Sequence, residues 1–511
     1  MEIMKNKALL LTLRNPKRVT ATIQKSQELK DNEVLVNWGI DEVHTLKNLN
    51  INVPSPIEGR YEWTGQYKPF AHQKKTAGFL TMNKRSFCFN EQGTGKTASA
   101  IWAADYLMKQ RKIKRVLIVC PLSIMDSAWR NDLFTFAMHR TVDVAYGSKR
   151  KREKEINGDA EFVIINYDGV SIVEDAVKAA RFDLVIVDEA THYKNVQTTR
   201  WKTLNRILHE DTWLWMMTGT PAAQSPLDAY GLAKLVNSQA VPRFFGAFRD
   251  MVMYKQTQFK WAPKETANET VHYALQPAIR FTKDECLDLP DMVYVKRNVE
   301  LTKQQAKYYE ALRKRNVLQV AGEDVTAVNA AVAMNKLLQI SAGAVYSDGG
   351  DTVRFDIKNR YNVLKEAINE SSKKVLVFIP FKHIIDVLSE KLTKDGITCA
   401  VIRGDVSVSN RTNIFKRFQE TTDPQVLLIQ PQAAAHGVTL TAASTVVWWG
   451  PTSSLETYAQ ANARVHRSGQ TSKCTVVQLQ GSAVERRVYK LLDARIDVHA
   501  KMIDLYKEIL D

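Results

Sequence analysis

Phe89–Lys109 reads FNEQGTGKTASAIWAADYLMK, and the order of its parts decides the fold. An apolar stretch comes first, a loop with Gly93, Thr94 and Gly95 follows, and then a helix-forming run begins. The two glycines let the backbone wrap a phosphate with successive N–H groups pointing inward, and the helix behind adds the positive end of its dipole. Lys96 is placed to reach β- and γ-phosphates, and Thr97 to ligate magnesium. A strict phosphate-loop pattern has glycine where Asn90 stands, so the match is to GxGKT and not to the full string.

Around this loop, apolar strands alternate with amphipathic helices. VLIVC (116–120), FVIINY (162–167), DLVIVDEA (183–190) and LWMMTGTP (214–221) are too apolar for half-exposed strands and suit a parallel sheet covered on both faces. A second set follows: VLVFIP (375–380), CAVIRG (399–404), VLLIQP (426–431) and STVVWWGP (444–451). Two α/β domains in tandem are the simplest account. Residues 225 to 369 between them read mostly as helix, with the extended segment DMVYVKRNVEL (291–301) in the middle.

DLVIVDEA supplies the second half of a nucleotide site. Asp188 and Glu189 fall at the carboxyl end of an apolar strand, where open α/β sheets bind ligands. Asp188 would hold a magnesium ion through water, and Glu189 would orient and deprotonate an attacking water. An Asp-Glu pair alone would be read as a strand-end surface. About ninety residues downstream of a phosphate loop, the catalytic reading wins.

Composition bounds the partners. Among 511 residues, Lys and Arg number 71 against 55 Asp and Glu, a formal charge of +16. Such an excess points to a polyanion, usually nucleic acid. The five cysteines are scattered without CxxC spacing, which disfavours a disulfide framework or zinc site and fits a reducing cytosol. No apolar run approaches the roughly 18 to 20 residues needed to cross a bilayer, so no membrane association is expected. The basic run SKRKREK (148–154) reads as the start of a solvated helix. In the first sixty or so residues, ALLLTLRNPKRVTATIQKS and NEVLVNWGIDEVHTLKNL alternate with period two, which predicts short antiparallel strands with Val34, Val36 and Trp38 on one face. VLVNWGIDEVHTLKNLNI resembles the end of an SH3-like or Tudor-like barrel, a candidate docking module for DNA or a partner protein. A β-extension packed on the rest is the alternative. A proline-containing linker, INVPSPIEGRYEWTG, follows.

From Tyr67 to the end, the ordered series resembles the Swi/Snf-type ATPases of helicase superfamily two. KPFAHQKKTAGFL is similar to the adenine-recognition segment, with Gln73 as the adenine-contacting residue. VCPLSIMDSAW resembles motif Ia, VDEATHYKN motif II, and MTGTPAAQSPLDAYGLAKLV motif III, whose Thr218 and Thr220 would couple hydrolysis to DNA grip. AIRFTKDECLDLPDMVYVKRNVELTKQQAKYYEAL resembles the linker between lobes. VLVFIPFKHIIDVLSEKL looks like motif IV, and VIRGDVSVSNRTNIFKRF like the segment after it. LIQPQAAAHGVTLTAASTVVWW, containing Gly437 as a coupling residue, resembles motif V. YAQANARVHRSGQ looks like motif VI, in which Gln460, Arg464 and Arg467 take the family's roles. Two arginines three residues apart share one face if the segment is helical. The family places them as arginine fingers, worth roughly 10³–10⁵ in rate in related NTPases. Thr191, Gln224, Ala434-Ala435-His436 and Thr439 depart from the common pattern, at positions that bear on coupling and not on hydrolysis.

The resemblance implies an α/β fold of two tandem RecA-like (DEAD-like) parallel-sheet lobes with helical insertions and a small N-terminal β module. Its divisions are 1–60 for the β module, 65–230 for the ATP-binding lobe, and 231–290 for a helical insertion and linker. Residues 291–480 form the second lobe, with an insertion at 302–368, and 481–511 a C-terminal helical brace. It implies ATP and Mg2+ as cofactors and double-stranded DNA as partner, held by its backbone without sequence preference. The function implied is an ATP-dependent double-stranded DNA translocase. A strand-separating DNA or RNA helicase, a translocase subunit of a restriction system and an ATP-gated scaffold are the alternatives. WWGPTSSLETYAQANARVHRSGQ is closer to compact prokaryotic and phage members, which implies a cytoplasmic protein, nuclear if eukaryotic.

Overall fold

The computed structural model describes residues 1–494 except 31, 66, 220, 222–224, 258–260, 287–289, 321–326, 347–351, 435–437 and 468. Met1–Cys286 form one compact unit and Leu287–Asp511 a second.

The first unit opens with an antiparallel sheet of β1 (Glu2–Met4), β2 (Ala8–Thr12), β3 (Ser26–Glu28) and β4 (Glu33–Asn37), in the order β1-β2-β4-β3. Leu9 sits opposite Val36 and Leu11 opposite Val34, and these four are buried together with Trp38, as the period-two alternation requires. The strand reading of the following residues is corrected: Ile40–Asn48 is a helix. Its buried Ile40, Val43 and Leu46 recur every three residues, a helical spacing, and Asp41 and Glu42 in the first turn complement the helix dipole. The result is an open sheet with a helix, not the closed SH3-like or Tudor-like barrel. The linker is packed down as well. The Trp38 indole donates to Pro54 O at 2.9 Å, Ser55 and Thr81 share a hydroxyl hydrogen bond of 2.8 Å, and Ile57 is fully buried.

The main sheet of this unit contains β5 (Arg85–Cys88), β6 (Val116–Cys120), β7 (Val142–Ala145), β8 (Phe162–Asn166), β9 (Leu184–Asp188) and β10 (Trp213–Met217). After a short antiparallel hairpin of β11 (Met253–Lys255) and β12 (Trp261–Pro263), the sheet is completed by β13 (Ala278–Ile279). All seven strands of the order β13-β5-β10-β9-β6-β8-β7 pair in parallel. Alternate residues feed two cores: Leu117, Val119, Val185 and Val187 on one face, Val116, Ile118, Leu184 and Ile186 on the other. That two-sided burial is why these strands read as continuous apolar runs. SKRKREK is part of the helix Lys149–Ile156, capped by the Ser148 side chain.

The second unit begins with β14 (Met292–Asn298), the extended segment of the sequence, followed by the helices Lys303–Val320 and Ala327–Ala342 and a hairpin of β15 (Ala344–Tyr346) and β16 (Thr352–Arg354). Then come β17 (Lys374–Phe378), β18 (Cys399–Ile402), β19 (Val426–Ile429), β20 (Ala443–Trp448) and β21 (Cys474–Gln480). Six strands pair in parallel in the order β14-β21-β20-β17-β19-β18. The predicted class, two tandem parallel-sheet α/β lobes with helical insertions, is the one that forms. Helix Ala483–Asp493 lies within the segment expected as a C-terminal brace, of which residues 495–511 lie outside the described ones.

Candidate active site

β5 and β9 flank β10 in register, Cys88 beside Met217 and Met217 beside Asp188. The carboxyl ends of three parallel strands therefore open side by side, and the loops following them share one edge of the sheet.

The loop after β5 turns into helix Lys96–Lys109 through two left-handed glycines, Gly93 (φ 86°) and Gly95 (φ 80°). A Cβ on Gly95 would stand 2.0 Å from the Gln73 amide nitrogen, so the position needs glycine for space as well as for conformation. Gln73 and His72, from helix Ala71–Thr81, hold the loop from behind. Gln73 Nε2 donates to Thr94 O at 3.2 Å, and His72 Nε2 lies 2.8 Å from the same oxygen. The Gln73 carbonyl oxygen accepts from Phe70 N–H at 2.9 Å, which fixes the orientation of its amide. The Thr94 hydroxyl donates to Glu91 O at 2.7 Å. Lys96 Nζ donates to Asn90 O at 2.7 Å and to Glu91 O at 3.2 Å, so its charge rests on the loop's own carbonyls.

Asn90 accounts for the departure from the strict glycine pattern. It is fully buried, donates to Thr76 Oγ1 at 2.8 Å and accepts from Phe281 N–H at 3.0 Å. Its amide joins the helix before the loop to the chain leaving β13, a role that glycine could not fill.

At the end of β9, Asp188 Oδ2 accepts from the Trp129 indole at 2.9 Å and Oδ1 from Glu189 N–H at 3.0 Å. Glu189 itself takes a left-handed backbone (φ 48°), uncommon for a non-glycine residue and typical of a functional turn. The Tyr167 hydroxyl donates to Asp188 O at 2.6 Å. Burial pushes the Tyr167 phenol well above its ordinary value, which keeps it a neutral donor. His192 lies one residue beyond the position where the common pattern has histidine; its ring centroid stands 4.7 Å from that of Tyr167, and burial lowers its pKa. Thr218 is fully buried after β10, its N–H donating to Cys88 O at 3.0 Å, and Gly219 backs onto Gln92 of the phosphate loop.

Among the described residues, the Thr97 hydroxyl at the start of the helix after the loop and the Asp188 carboxylate at the end of β9 are candidate metal ligands. They are hard oxygen ligands of the kind Mg2+ takes. Of the expected first-lobe residues, Gln73, Gly93, Thr94, Gly95, Lys96, Thr97, Asp188, Glu189 and Thr218 fall on the loops at this sheet edge or on the helix behind it. Thr220 lies outside the described residues.

In the second unit the arginine segment is not helical, so the one-face arrangement a helix would give does not apply. Helix Leu455–Asn462 ends before Arg464, and 463–467 are turns and bends. Side chains override the helix: the Trp448 indole donates to Asn462 Oδ1 at 2.9 Å, and Gln470 Nε2 donates to Ala443 O at 2.8 Å and Val465 O at 3.2 Å. Arg464 is buried to 1% exposure with its guanidinium 3.5 Å from Val438 O, and Leu440 N–H donates to Arg464 O at 2.9 Å. Arg467 is partly buried and donates to Thr439 Oγ1 at 3.3 Å. Gln460 donates to Glu456 Oε1 at 3.0 Å. Both arginines thus touch the described end of the motif V resemblance, while Gly437 lies outside the described residues.

The sequence reading passed over His72, Tyr167, Trp129 and Phe281. Trp129 was visible as the last residue of the VCPLSIMDSAW resemblance, but a bond spanning 59 positions leaves no local trace.

The pattern of the SNF2-related domain matches residues 72–342, and that of the helicase conserved C-terminal domain matches residues 359–469. The chain is 26% identical over 425 residues to an uncharacterized ATP-dependent helicase of Mycoplasma genitalium, covering 81% of this chain and 40% of that protein. It is 26% identical over 423 residues to putative protein p41 of Acyrthosiphon pisum secondary endosymbiont phage 1, covering 78% of this chain and 88% of that protein. Among solved structures, it is similar at 21% identity to the SWI2/SNF2 ATPase core of Sulfolobus solfataricus in complex with dsDNA, with a TM-score of 0.43, covering 85% of this chain and 92% of that one. The chain spans about two fifths of the length of the Mycoplasma relatives it matches.

Proposed function

This chain belongs to the SNF2-related family, and from that premise we propose that it is a motor that hydrolyses ATP to move along double-stranded DNA. The observation that carries the reading is the shared sheet edge where the phosphate loop after β5 and the Asp188–Glu189 turn after β9 stand one strand apart.

Loop N–H groups and the helix Lys96–Lys109 receive the phosphates, and Lys96 leaves the carbonyls of Asn90 and Glu91 to meet the β- and γ-oxygens. Gln73 presents its amide to the adenine edge. Thr97 and Asp188 would hold Mg2+, which when bound neutralises charge on the phosphate oxygens. Glu189 orients a water for in-line attack on the γ-phosphorus and takes its proton, while the bond from phosphorus to the bridging oxygen breaks and ADP leaves. By the family resemblance, Arg464 and Arg467 would stabilise the charge on the transferring phosphoryl group, with Gln460 taking its family role in the same segment. Thr218, Thr220 and Gly437 pass the state of the nucleotide to the DNA grip. The duplex is held by its phosphates, in keeping with the +16 formal charge, so affinity falls steeply with salt and little with sequence. The N-terminal module offers a docking surface for a protein partner, and the compartment is the cytoplasm of a prokaryotic or phage-infected cell.

The test is ATP hydrolysis by wild type and Glu189→Gln with no nucleic acid, single-stranded DNA, duplex DNA and duplex RNA. Duplex DNA alone is expected to stimulate strongly, and the variant to lose about 10²–10⁴-fold, the scale of a general base. Stimulation chiefly by single strands or RNA overturns the choice of substrate in favour of an unwinding helicase.

A further inference from the structure

The helix Phe245–Val252 and the β11–β12 hairpin carry a row of side chains that hydrolysis does not use. Phe245, 43% exposed, lies one helical turn before Arg249 on the same face. The Arg249 guanidinium sits 4.1 Å from the centre of the Trp261 ring, and Asp250 Oδ1 orients it at 2.9 to 3.0 Å. Across the hairpin, Trp261 pairs with Lys255, which is exposed. Phe245, one helical turn away, and Lys255, the register partner of Trp261, thus flank the Arg249–Trp261 pair. Behind them Phe245 packs edge-on against Tyr230 at 5.4 Å, and Lys264 is tied to Asp250 O at 2.6 Å, so the row has a built support. Between 243 and 264 the sequence has five basic residues and one acidic residue, a strongly positive setting for so much apolar surface.

The excess of five basic residues over one acidic residue between 243 and 264 favours a polyanion over a protein surface of mixed charge. Bases need a stacking plane, and their phosphates a cation one step away, which is the spacing this row repeats. We propose that the row Phe245, Arg249, Trp261 and Lys255 binds unpaired nucleotides of a DNA strand, bases stacking on the rings and phosphates meeting the cations, so that the enzyme engages duplex ends or branches bearing single-stranded DNA. The inference rests on the reading of the chain as a DNA enzyme and adds a second nucleic-acid surface to it.

The probe is a fluorescent duplex with a single-stranded overhang against the same duplex with blunt ends, followed by anisotropy without ATP. Wild type is expected to bind the overhang DNA about tenfold more tightly, the scale of one or two stacked bases. Phe245→Ala and Lys255→Glu should erase that preference and keep blunt-duplex affinity. Tyr254→Ala, on the opposite face of the hairpin strand, should keep both, which controls for folding. Equal binding of both DNAs by wild type, or a preference that survives both row variants, overturns the inference. So does a loss of blunt-duplex affinity in the same proportion, which would assign the row to the duplex track. If the overhang preference holds while duplex DNA fails to stimulate hydrolysis, the surface stands and the motor reading fails. The reverse pattern leaves the motor without this surface.

Discussion

At Gly95 the chain has to satisfy two demands in one residue: a left-handed backbone and room for the Gln73 amide 2.0 Å from where a Cβ would be. Gly95→Ala therefore carries the left-handed penalty of about 1–2 kcal/mol and also drives Gln73 off Thr94 O. Urea unfolding is expected to show a loss of that size, with nucleotide affinity falling further than the stability change alone explains. Unchanged nucleotide binding would contradict the role given to the Gln73 contact. The residues of this site were legible because a phosphate loop is a local pattern of glycine, lysine and hydroxyl placed between strand and helix. The groups that brace it were not. His72, Tyr167 and Trp129 reach their partners across 22, 21 and 59 positions, and a histidine, tyrosine or tryptophan in a row of apolar neighbours looks the same whether or not it holds an active-site turn.

Between elements, polar ties set geometry that apolar packing leaves loose. Helix Lys358–Glu370 is locked to helix Ala483–Asp493 by Arg360, which meets both Glu485 oxygens at 2.8 and 2.7 Å and also Trp449 O, with both side chains almost wholly buried. Arg360→Met leaves the buried Glu485 carboxylate without its counter-ion and is expected to cost about 3–5 kcal/mol, whereas Arg360→Met with Glu485→Gln, which keeps an acceptor for the Gly481 and Ser482 N–H groups, should recover part of it. Equilibrium unfolding of the two variants checks the pair, and equal losses would contradict it. On the first unit, Glu174 of helix Glu174–Ala180 accepts from Arg206 of helix Thr199–Ile207 at 2.7 Å through both oxygens, and that hydrogen bonding holds its carboxyl down to about 2. A depressed carboxyl stabilises the folded state above its ordinary value near 4.5 and loses that contribution as pH falls toward 2. Glu174→Gln should accordingly lower Tm at pH 7, and the gap to wild type should close as pH falls through this window. A gap independent of pH would show that the tie is not ionic. Elements were read best where burial is two-sided, as in β6, β9, β17 and β20. They were hard to read where tertiary contacts decide: Asn462, held by Trp448, ends the helix ahead of Arg464, a boundary the sequence left open, and the Ile40–Asn48 helix, read as strand, hides behind strand-like neighbours.

Over the whole molecule, the two parallel-sheet lobes were foreseeable because two sets of apolar strands, each separated by helical stretches, leave few other ways to bury them. The open form of the N-terminal sheet was not, since an alternating strand pattern specifies a half-buried face and not whether a sheet closes. Those lobes support several jobs with one hydrolytic apparatus, and they differ in what happens to the DNA. A translocase displaces an obstacle from an intact duplex, a strand-separating helicase parts the duplex, and a scaffold does neither. ATP-driven displacement of the third strand from a DNA triplex, run beside strand separation of a forked duplex, distinguishes these jobs. The third strand is expected to be released with ATP and retained with Glu189→Gln, while the forked strands stay paired. Parting of the forked duplex, or a triplex left intact despite vigorous ATP turnover, would contradict the translocase reading.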